Sequence, residues 1–468
     1  MKICVLVGSP KAENSITFQT VLYWQKLFPG HSWEMIYAGR QIKKLEKDFQ
    51  EAAGKMEAAD LLLFCYPVYT FIAPSQLHRF IELMKIEISC GNLHLAGKFA
   101  AQVTTSKHFY DVTALEYVKD NCQDMGMKYL GGLSEDMEDL LHEKGQKEAR
   151  QFFRYIMWRA KRGICDPAMN RPKSRPFFYV PAPEASVKWK SVPSGKGKNA
   201  EPGEVVIVTD LAENPLDPSA DNVLSDMIAD FRKRYPGETR VVDLAEYPFA
   251  GGCLGCFHCA ADGVCIYKDG FDKFLREQIQ TASAIVYAFQ IRDHAMGARF
   301  KMYDDRQFCN GHRTVTMGMP MGYLVCGNLD MEPNLRMILE ARADVGGNFL
   351  AGIAMDGKGV ADLAAELTYA LRTKIVLPQR FYGVGGMKIF RDLIFQMRGL
   401  MREDHRFYKK HKFYDFPQNQ PGKIAFMYLA GAMMNNKALH KKIGGKMTEG
   451  MLMPYRKVLE EAGKKQNS

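Results

Sequence analysis

Short apolar runs rich in β-branched residues alternate with helix-length amphipathic stretches, and this alternation occurs twice along the 468-residue chain. In the first half the runs Lys2–Gly8 and Ala59–Tyr66 show it, and they are echoed by Glu204–Thr209 and Ser283–Phe289 in the second. Runs of this kind are typical of buried parallel strands joined by right-handed helical crossovers. The sequence therefore predicts an α/β protein with two tandem doubly wound parallel sheets.

Two further echoes indicate an internal duplication. Asp124–Leu133 resembles Asp344–Ile353 within the two predicted domains. Phe152–Trp158 resembles Ile389–Phe395, so the segments that follow the two domains are also expected to correspond. The predicted organisation is a domain at 1–148, a basic helical and proline-rich linker at 149–200, a second domain at 201–374 and a basic helical tail at 375–468.

The net charge of +10 is concentrated in two segments. Arg150–Lys198 holds 12 Lys and Arg against 2 Asp and Glu, and Ile375–Ser468 holds 18 against 7. Each segment is expected to pack on an acidic body, its own or a partner subunit's; an acidic redox protein or anionic lipid are the alternatives. No motif indicates nucleic acid binding, and no apolar run reaches the roughly 18 residues of a membrane span. A cytoplasmic protein without a transmembrane segment is expected.

The loop after the first run is rich in groups that bind phosphate. It contains Ser9, Lys11, Asn14, Ser15 and Thr17, and a helix follows it. The N–H groups and dipole at a helix N-terminus favour an anion there. Neither Gly-x-Gly-x-x-Gly nor a Walker sequence is present, so a monophosphate such as that of FMN fits better than a dinucleotide or a nucleoside triphosphate. The alternative is an ordinary Gly-Ser-Pro turn.

Two more predicted strands end in loops that would reach the same sheet edge. One carries an aromatic pair suited to stacking on a flat ring: Tyr66, Pro67, Val68, Tyr69. The other is dense in polar groups: Thr104, Thr105, Ser106, Lys107, His108, Tyr110. His108 and Tyr110 are candidates for tuning or protonating a flavin. The alternatives are core packing for the tyrosines and a surface position for His108.

Four of the eleven cysteines form the run Cys253-x2-Cys256-x2-Cys259-x5-Cys265. Four thiolates this close in sequence suit a [4Fe–4S] cluster, and the run begins with the Cys-x2-Cys-x2-Cys spacing of ferredoxins. Glycines such as Gly255 let the backbone curl around the cluster. A structural zinc site or unligated redox thiols are the alternatives.

These motifs resemble the NAD(P)H-dependent FMN reductase and iron–sulfur flavoprotein families, over roughly residues 1–370. The resemblance implies a flavodoxin-like fold for both halves. It implies that Ser9, Asn14, Ser15 and Thr17 hold the phosphate and that Pro67, Val68, Tyr69 and the Thr104–Tyr110 loop frame the isoalloxazine. It also implies a homo-oligomer. Lys11 replaces the usual arginine.

The two halves differ at these motifs. At the phosphate-loop position the second half has Asp210 and Glu213, and at the Pro-Val-Tyr position it has Gln290-Ile291-Arg292. Carboxylates would repel a phosphate, so a second FMN is in doubt. The prediction is a flavin-dependent oxidoreductase, with FMN in the first half, a [4Fe–4S] cluster in the second, NAD(P)H or ferredoxin as electron partner and an unidentified small-molecule substrate. The alternatives are an electron-transfer or docking protein without its own turnover, and a zinc-stabilised scaffold.

Overall fold

A computed structural model describes residues 1–168, 179–182, 202–211 and 220–435, and a few positions from 452 to 459. The chain divides into two compact units, residues 1–407 and residues 408–468. The larger unit holds both predicted sheets, and each is five-stranded and parallel throughout.

The first sheet has the strand order β2-β1-β3-β4-β5, which is the order of a flavodoxin-like fold. Its strands are β1 Lys2–Val7, β2 Ser32–Ile36, β3 Leu61–Pro67, β4 Phe99–Ser106 and β5 Lys128–Asp136. Its helices are α1 Ile16–Leu27, α2 Ala38–Leu45, α3 Gln50–Ala58, α4 Ser75–Ser89, α5 Asp111–Asp124 and α6 Glu143–Arg162.

The central strands are buried on both faces, which explains why they are nearly continuous apolar runs. Residues 3–7 of β1 and 61–66 of β3 are all buried, with one core cluster on each side of the sheet. On one side α6 packs on α1, where Trp24 Nε1 donates a hydrogen bond to the Ala149 carbonyl at 2.9 Å. Gly163, with a φ of +68°, ends α6 in the left-handed conformation that glycine tolerates.

The second sheet repeats this order as β7-β6-β8-β9-β10. Its strands are β6 Val205–Thr209, β7 Thr239–Asp243, β8 Ala284–Gln290, β9 Pro320–Cys326 and β10 Phe349–Ala354. Its helices are α7 Ala220–Arg234, α8 Phe271–Phe274 (continued by a π-helical turn, Leu275–Ile279), α9 Ala298–Arg306, α10 Pro333–Gly346 and α11 Gly357–Thr373. Both tandem sheets thus have the predicted doubly wound topology.

Equivalent helices join the two halves, since α4 packs on α9 and α5 contacts α10. Ala295, Ile338 and Val345 of the second half belong to a core cluster of the first. Polar contacts fix the register of this interface: the Ser75 N–H donates to the Asp305 carboxylate at 2.7 Å, and the Asn334 amide donates to the Thr113 carbonyl at 3.0 Å. The halves therefore share one hydrophobic core cluster at this interface.

The segments that follow the sheets differ from the sequence-based expectation. The boundary expected at residue 148 falls inside α6, which packs on the first sheet. In the second half the helix that follows the last strand, as α6 does in the first half, is α11, which packs on α7 and on the second sheet. The expected correspondence of 152–158 with 389–395 is therefore not supported, because α12 Phe381–Gln396 is an additional helix packed on α10. Most of the proline-rich stretch of the expected linker lies outside the described residues.

Helix α13 Arg402–Lys410 crosses the boundary between the units. In the smaller unit α14 spans Pro421–Asn435. Among the helices of the described residues, none has the length and apolar character needed to cross a membrane.

Candidate active site

A cavity of about 480 Å³ lies within the larger unit, and residues from both halves line it. That volume is within the usual range for sites that bind small molecules and cofactors. The first half contributes the loops after β1, β3 and β4, and the second contributes the long loop after β7 and the segment after α9. The cavity therefore lies at the carboxyl edge of the first sheet, where ligands bind in open α/β folds.

The loop after β1 forms the polar end of the cavity wall. Ser9, Lys11, Asn14 and Ser15 all line the cavity, and Ser9 and Ser15 are buried. Ser15 is the residue before α1, and its side chain makes no capping hydrogen bond to the helix. The first N–H groups of α1 and the Ser15 hydroxyl are thus available to an anion in the cavity.

Two predicted phosphate or flavin ligands lie away from the cavity and have other partners. The Thr17 and Thr105 hydroxyl oxygens are 2.6 Å apart in the interior, which ties α1 to β4. The Thr104 hydroxyl donates to the Tyr66 carbonyl at 2.7 Å and ties β4 to β3. Thr105 itself lines the cavity, whereas Thr17 and Thr104 do not. The structure gives these two side chains a positioning role.

The loop after β3 supplies Pro67, Val68 and Tyr69 to the cavity wall. The next two residues, Thr70 and Phe71, have φ angles of +40° and +74°, a conformation that costs free energy for residues other than glycine. The turn is closed by a hydrogen bond of 2.8 Å from the Tyr69 N–H to the Ile72 carbonyl. Strain of this kind persists where surrounding contacts hold the backbone in place.

A buried lysine from the second half provides one such contact. Lys301 Nζ donates to the Tyr69 carbonyl at 2.6 Å and forms an ion pair with Asp305. Burial raises the pKa of Asp305 to about 6, and the nearby Lys301 ammonium opposes that rise. The conformation of the loop 67–72 of the first half, which we call the flavin loop for its predicted role, thus depends on a helix of the second half.

The loop after β4 divides into residues that line the cavity and residues that do not. Thr105, Ser106, Lys107 and Phe109 line it, but His108 and Tyr110 are absent from its wall. The His108 ring is half exposed and bonds to Asp111 at 2.8 Å, and the Tyr110 hydroxyl donates to the Tyr382 carbonyl at 2.9 Å. Neither side chain is placed to reach a ligand in the cavity.

The cysteine quartet lies in the loop after β7, the second strand of its sheet, and all four cysteines line the same cavity. The Gly255 N–H donates to Cys253 Sγ at 3.4 Å, and Cys259 Sγ donates to the Phe308 carbonyl at 3.2 Å. Burial raises the pKa of Cys253 to about 12 and that of Cys259 to about 11, and neighbouring cysteines of the quartet add to both shifts. Among the described residues, no group of three or more His, Cys, Asp or Glu side chains is arranged to hold a metal ion.

The loop that carries the quartet, residues 253–265 (the cysteine loop), packs directly on the loop after β1 and on the flavin loop. A Cβ on Gly255 would overlap the Tyr69 hydroxyl oxygen, and the Lys11 ammonium lies 5.2 Å from the centre of the Phe257 ring. The Gln76 amide at the start of α4 donates to the Cys253 carbonyl at 3.1 Å. The predicted flavin and cysteine motifs, which are more than 140 residues apart in sequence, therefore meet at one place.

Residues 1–134 match the family model of the NADPH-dependent FMN reductases. The matched segment covers the first sheet up to β5, and with it the loops after β1, β3 and β4. The first half of the chain is thus similar to a family of flavin-dependent oxidoreductases, and FMN is the cofactor that this similarity supports. A search of the curated proteins found no match.

Solved structures of flavoenzymes resemble about one third of this chain. An FMN-dependent NADH-azoreductase from Bacillus anthracis in complex with FMN is 12% identical, with a TM-score of 0.26, over 35% of this chain and 100% of its own. The NAD(P)H:(acceptor) oxidoreductase FerB from Paracoccus denitrificans is 19% identical, with a TM-score of 0.26, over 34% and 97%. An NAD(P)H:quinone oxidoreductase from Methanothermobacter marburgensis is 14% identical, with a TM-score of 0.25, over 35% and 94%. Similarities of this size do not identify a function.

The corresponding loop edge of the second half is occupied by an ion pair. Asp210 follows β6 at the position that Gly8 has after β1, and its carboxylate is buried. Arg299 Nη1 lies 2.9 Å from this carboxylate, and Arg292 Nη1 lies 4.0 Å from it. The Arg292 side chain thus comes from the segment aligned with the Pro-Val-Tyr loop. A carboxylate at this position disfavours phosphate, as the sequence indicated.

Part of the cavity wall was not predicted from the sequence. Phe308 contacts the Tyr69 ring edge-on at 5.5 Å, and Phe390 of α12 stacks on Phe109 at 4.3 Å. His312 lies between Phe390 and Asp404, with its ring nitrogen 3.3 Å from the carboxylate. These residues carry no motif from which the sequence could have indicated a place in the cavity wall.

Proposed function

We propose that this chain is a flavin-dependent oxidoreductase with FMN bound in the first half and a [4Fe–4S] cluster held by Cys253, Cys256, Cys259 and Cys265. NAD(P)H is the proposed electron donor, with ferredoxin as the alternative, and the two halves are proposed to descend from a tandem duplication. One observation carries the proposal: Ser9, Ser15, Tyr69 and the four cysteines line the same cavity. A flavin and a cluster bound there would be neighbours.

The residues of the first half fit FMN. A monophosphate at Ser9, Asn14 and Ser15 would accept hydrogen bonds from their side chains and from the uncapped N-terminus of α1, and Lys11 would supply a positive charge. The ring system would then extend towards Pro67, Val68 and Tyr69, where apolar and aromatic surface is available.

The donor set of the second half has the chemistry that a cluster requires, although no three of these side chains are arranged around a metal ion in the described structure. Four cysteines in one loop face one cavity, and the left-handed φ of +59° at Gly255 allows the tight turn between Cys253 and Cys256. With pKa values of about 12 and about 11, Cys253 and Cys259 are protonated thiols near neutral pH. Metal binding would displace these protons, since thiolates are the ligands.

When bound, the flavin would supply hydride and electron transfer, and the cluster would supply single-electron transfer. The chain's own residues position the two groups. Lys301 fixes the backbone of the flavin loop, and Gln76 fixes the backbone of the cysteine loop. Phe109, Phe308 and Phe390 make part of the cavity wall apolar, which would disfavour water beside a bound ring system.

Cofactor content of the anaerobically purified protein tests the cluster assignment. We expect one FMN, four iron and four acid-labile sulfide per chain, with broad iron–sulfur absorbance beneath the flavin bands. Cys256→Ser should abolish most of the iron and sulfide and retain FMN. Cys90→Ser is the matched control, because Cys90 is also exposed but lies outside the loop. One zinc and no iron per chain would contradict the cluster and leave the flavin proposal standing.

The flavin assignment has a separate test. Ser15→Asp places a carboxylate at the proposed phosphate position, and we expect at least a tenfold loss of FMN affinity from the charge repulsion. Ser32→Asp is the control, since Ser32 is exposed at the start of β2. Equal FMN binding by both variants would contradict the site.

Steady-state assays separate an enzyme from an electron carrier. Turnover with NADH or NADPH and an artificial acceptor supports the enzyme, and reduction by reduced ferredoxin alone supports the carrier. The homo-oligomer, the cytoplasmic location and the substrate remain predictions.

A further inference from the structure

The helix α14 is apolar around its whole circumference and exposed. In Pro421–Asn435 the one charged residue is Lys423, at the N-terminal end. Phe426, Met427, Tyr428 and Leu429 each expose 60% or more of their surface. At 100° per residue these four consecutive side chains point in all directions, so the helix has no polar face.

An all-round apolar helix is normally covered by protein or by lipid. The described residues of its own unit provide no such cover, because residues 421–429 are all exposed. The apolar stretch is shorter than the about 20 residues of a membrane span, and its length is typical of a buried core helix or an interfacial segment. Since it is not buried, the interfacial alternative remains.

The charge of the same unit indicates what covers the helix. Residues 408–468 contain 12 Lys and Arg against 4 Asp and Glu. A second copy of this unit would carry the same excess and be repelled by it, whereas the anionic surface of a bilayer would attract it. More exposed apolar side chains lie near the C-terminus, including Leu452, Tyr455 and Leu459, beside the basic pair Arg456-Lys457.

We propose that α14 is a membrane-surface anchor, which inserts its apolar side chains into the interface of an anionic bilayer while the surrounding lysines and arginines contact the lipid headgroups. The anchor would attach this protein to a membrane without crossing it. Binding of this type depends on both the apolar area and the basic charge, so each can be removed separately. The proposal does not depend on either cofactor.

Sedimentation with lipid vesicles tests it on the full-length protein. We expect binding to phosphatidylcholine vesicles that contain phosphatidylglycerol, with a partition coefficient at least about tenfold higher than for phosphatidylcholine alone. Raising the salt from about 0.1 M to about 0.5 M should weaken this binding through screening. Equal partition into both vesicles, or none into either, would overturn the proposal.

Paired variants distinguish binding through α14 from non-specific adsorption of the protein to vesicles. Phe426→Asp with Leu429→Asp should lower the partition coefficient at least about tenfold, because two charged side chains would enter the apolar layer. Leu141→Asp is the control and should bind like the unmodified protein, since Leu141 is equally exposed but lies in the larger unit. Unchanged binding by the double variant refutes the assignment. The assignment is also refuted if light scattering shows a dimer for the unmodified protein and a monomer for the double variant, because the helix would then be covered by a second copy.

Discussion

The contact between Gly255 and Tyr69 gives a quantitative test of how the two halves meet. In Gly255→Ala the new methyl group would overlap the Tyr69 hydroxyl and lie 3.0 Å from Cζ, at a residue with a φ of +59°. The left-handed backbone costs a non-glycine residue about 1 kcal/mol, and forced overpacking costs about 1–3 kcal/mol. Gly255→Ala should therefore lower the free energy of unfolding by about 2–4 kcal/mol.

Two further variants divide that loss into its parts. Gly91→Ala carries the backbone cost alone, about 1 kcal/mol, because Gly91 has a φ of +76° and no atom within 4 Å of an added Cβ. Tyr69→Phe removes the overlapping oxygen and should restore most of the packing loss in the double variant, a coupling of about 1–3 kcal/mol. Urea unfolding of the reduced protein, followed by circular dichroism, measures each value. If Gly255→Ala costs no more than Gly91→Ala, or Tyr69→Phe gives no recovery, the cysteine loop does not pack on the flavin loop.

Two other contacts between the halves make testable predictions. Burial lowers the pKa of His294, but hydrogen bonds of 2.7 Å to Asp124 and 2.9 Å to Glu332 outweigh burial and raise it. His294→Gln should therefore cost about 2–3 kcal/mol below pH 6.5, and the loss should shrink as the pH rises through the raised pKa; a pH-independent loss in urea unfolding would contradict this. Lys301→Met leaves the Asp305 carboxylate buried without its ammonium and should cost about 3–5 kcal/mol. Asp305→Asn in the same protein should recover part of that stability, and no recovery would show that the ion pair is unimportant.

The sheets could be predicted from the sequence because central parallel strands are apolar on both faces. Lys2–Val7 and Leu61–Pro67 are unbroken runs for this reason, and their period and length distinguish them from helices. The helix that follows the last strand of each half was harder to assign from the sequence. Residues 389–395 resemble 152–158 in composition, but α11 is the positional counterpart of α6, and amphipathic helices of similar composition cannot be assigned to a surface from sequence alone.

The candidate site was predictable where one loop carries the chemistry and unpredictable where distant segments meet. Ser9, Ser15 and Tyr69 follow strands and lie at the expected edge. Thr17 carries a hydroxyl like Ser15, but it lies two residues further along the chain, inside α1, where its side chain points towards Thr105. Lys301 could not be found, because a lysine in a helix is normally on the surface and only the packing of α9 on α4 buries it.

The interface between equivalent helices would allow the proposed flavin and cluster to share one cavity. Pairing α4 with α9 is an isologous arrangement, in which two identical halves would make each contact twice. Here the contact is made once: the loop after β7 carries cysteines to Tyr69, whereas β2 leads within two residues into α2 and has no comparable loop. The equivalent place in the second half also differs, because Asp210 and Arg292 stand where the first half has the loops after β1 and β3. Joining both halves in one chain allows each to keep one part of the site, since neither has to be complementary to a copy of itself.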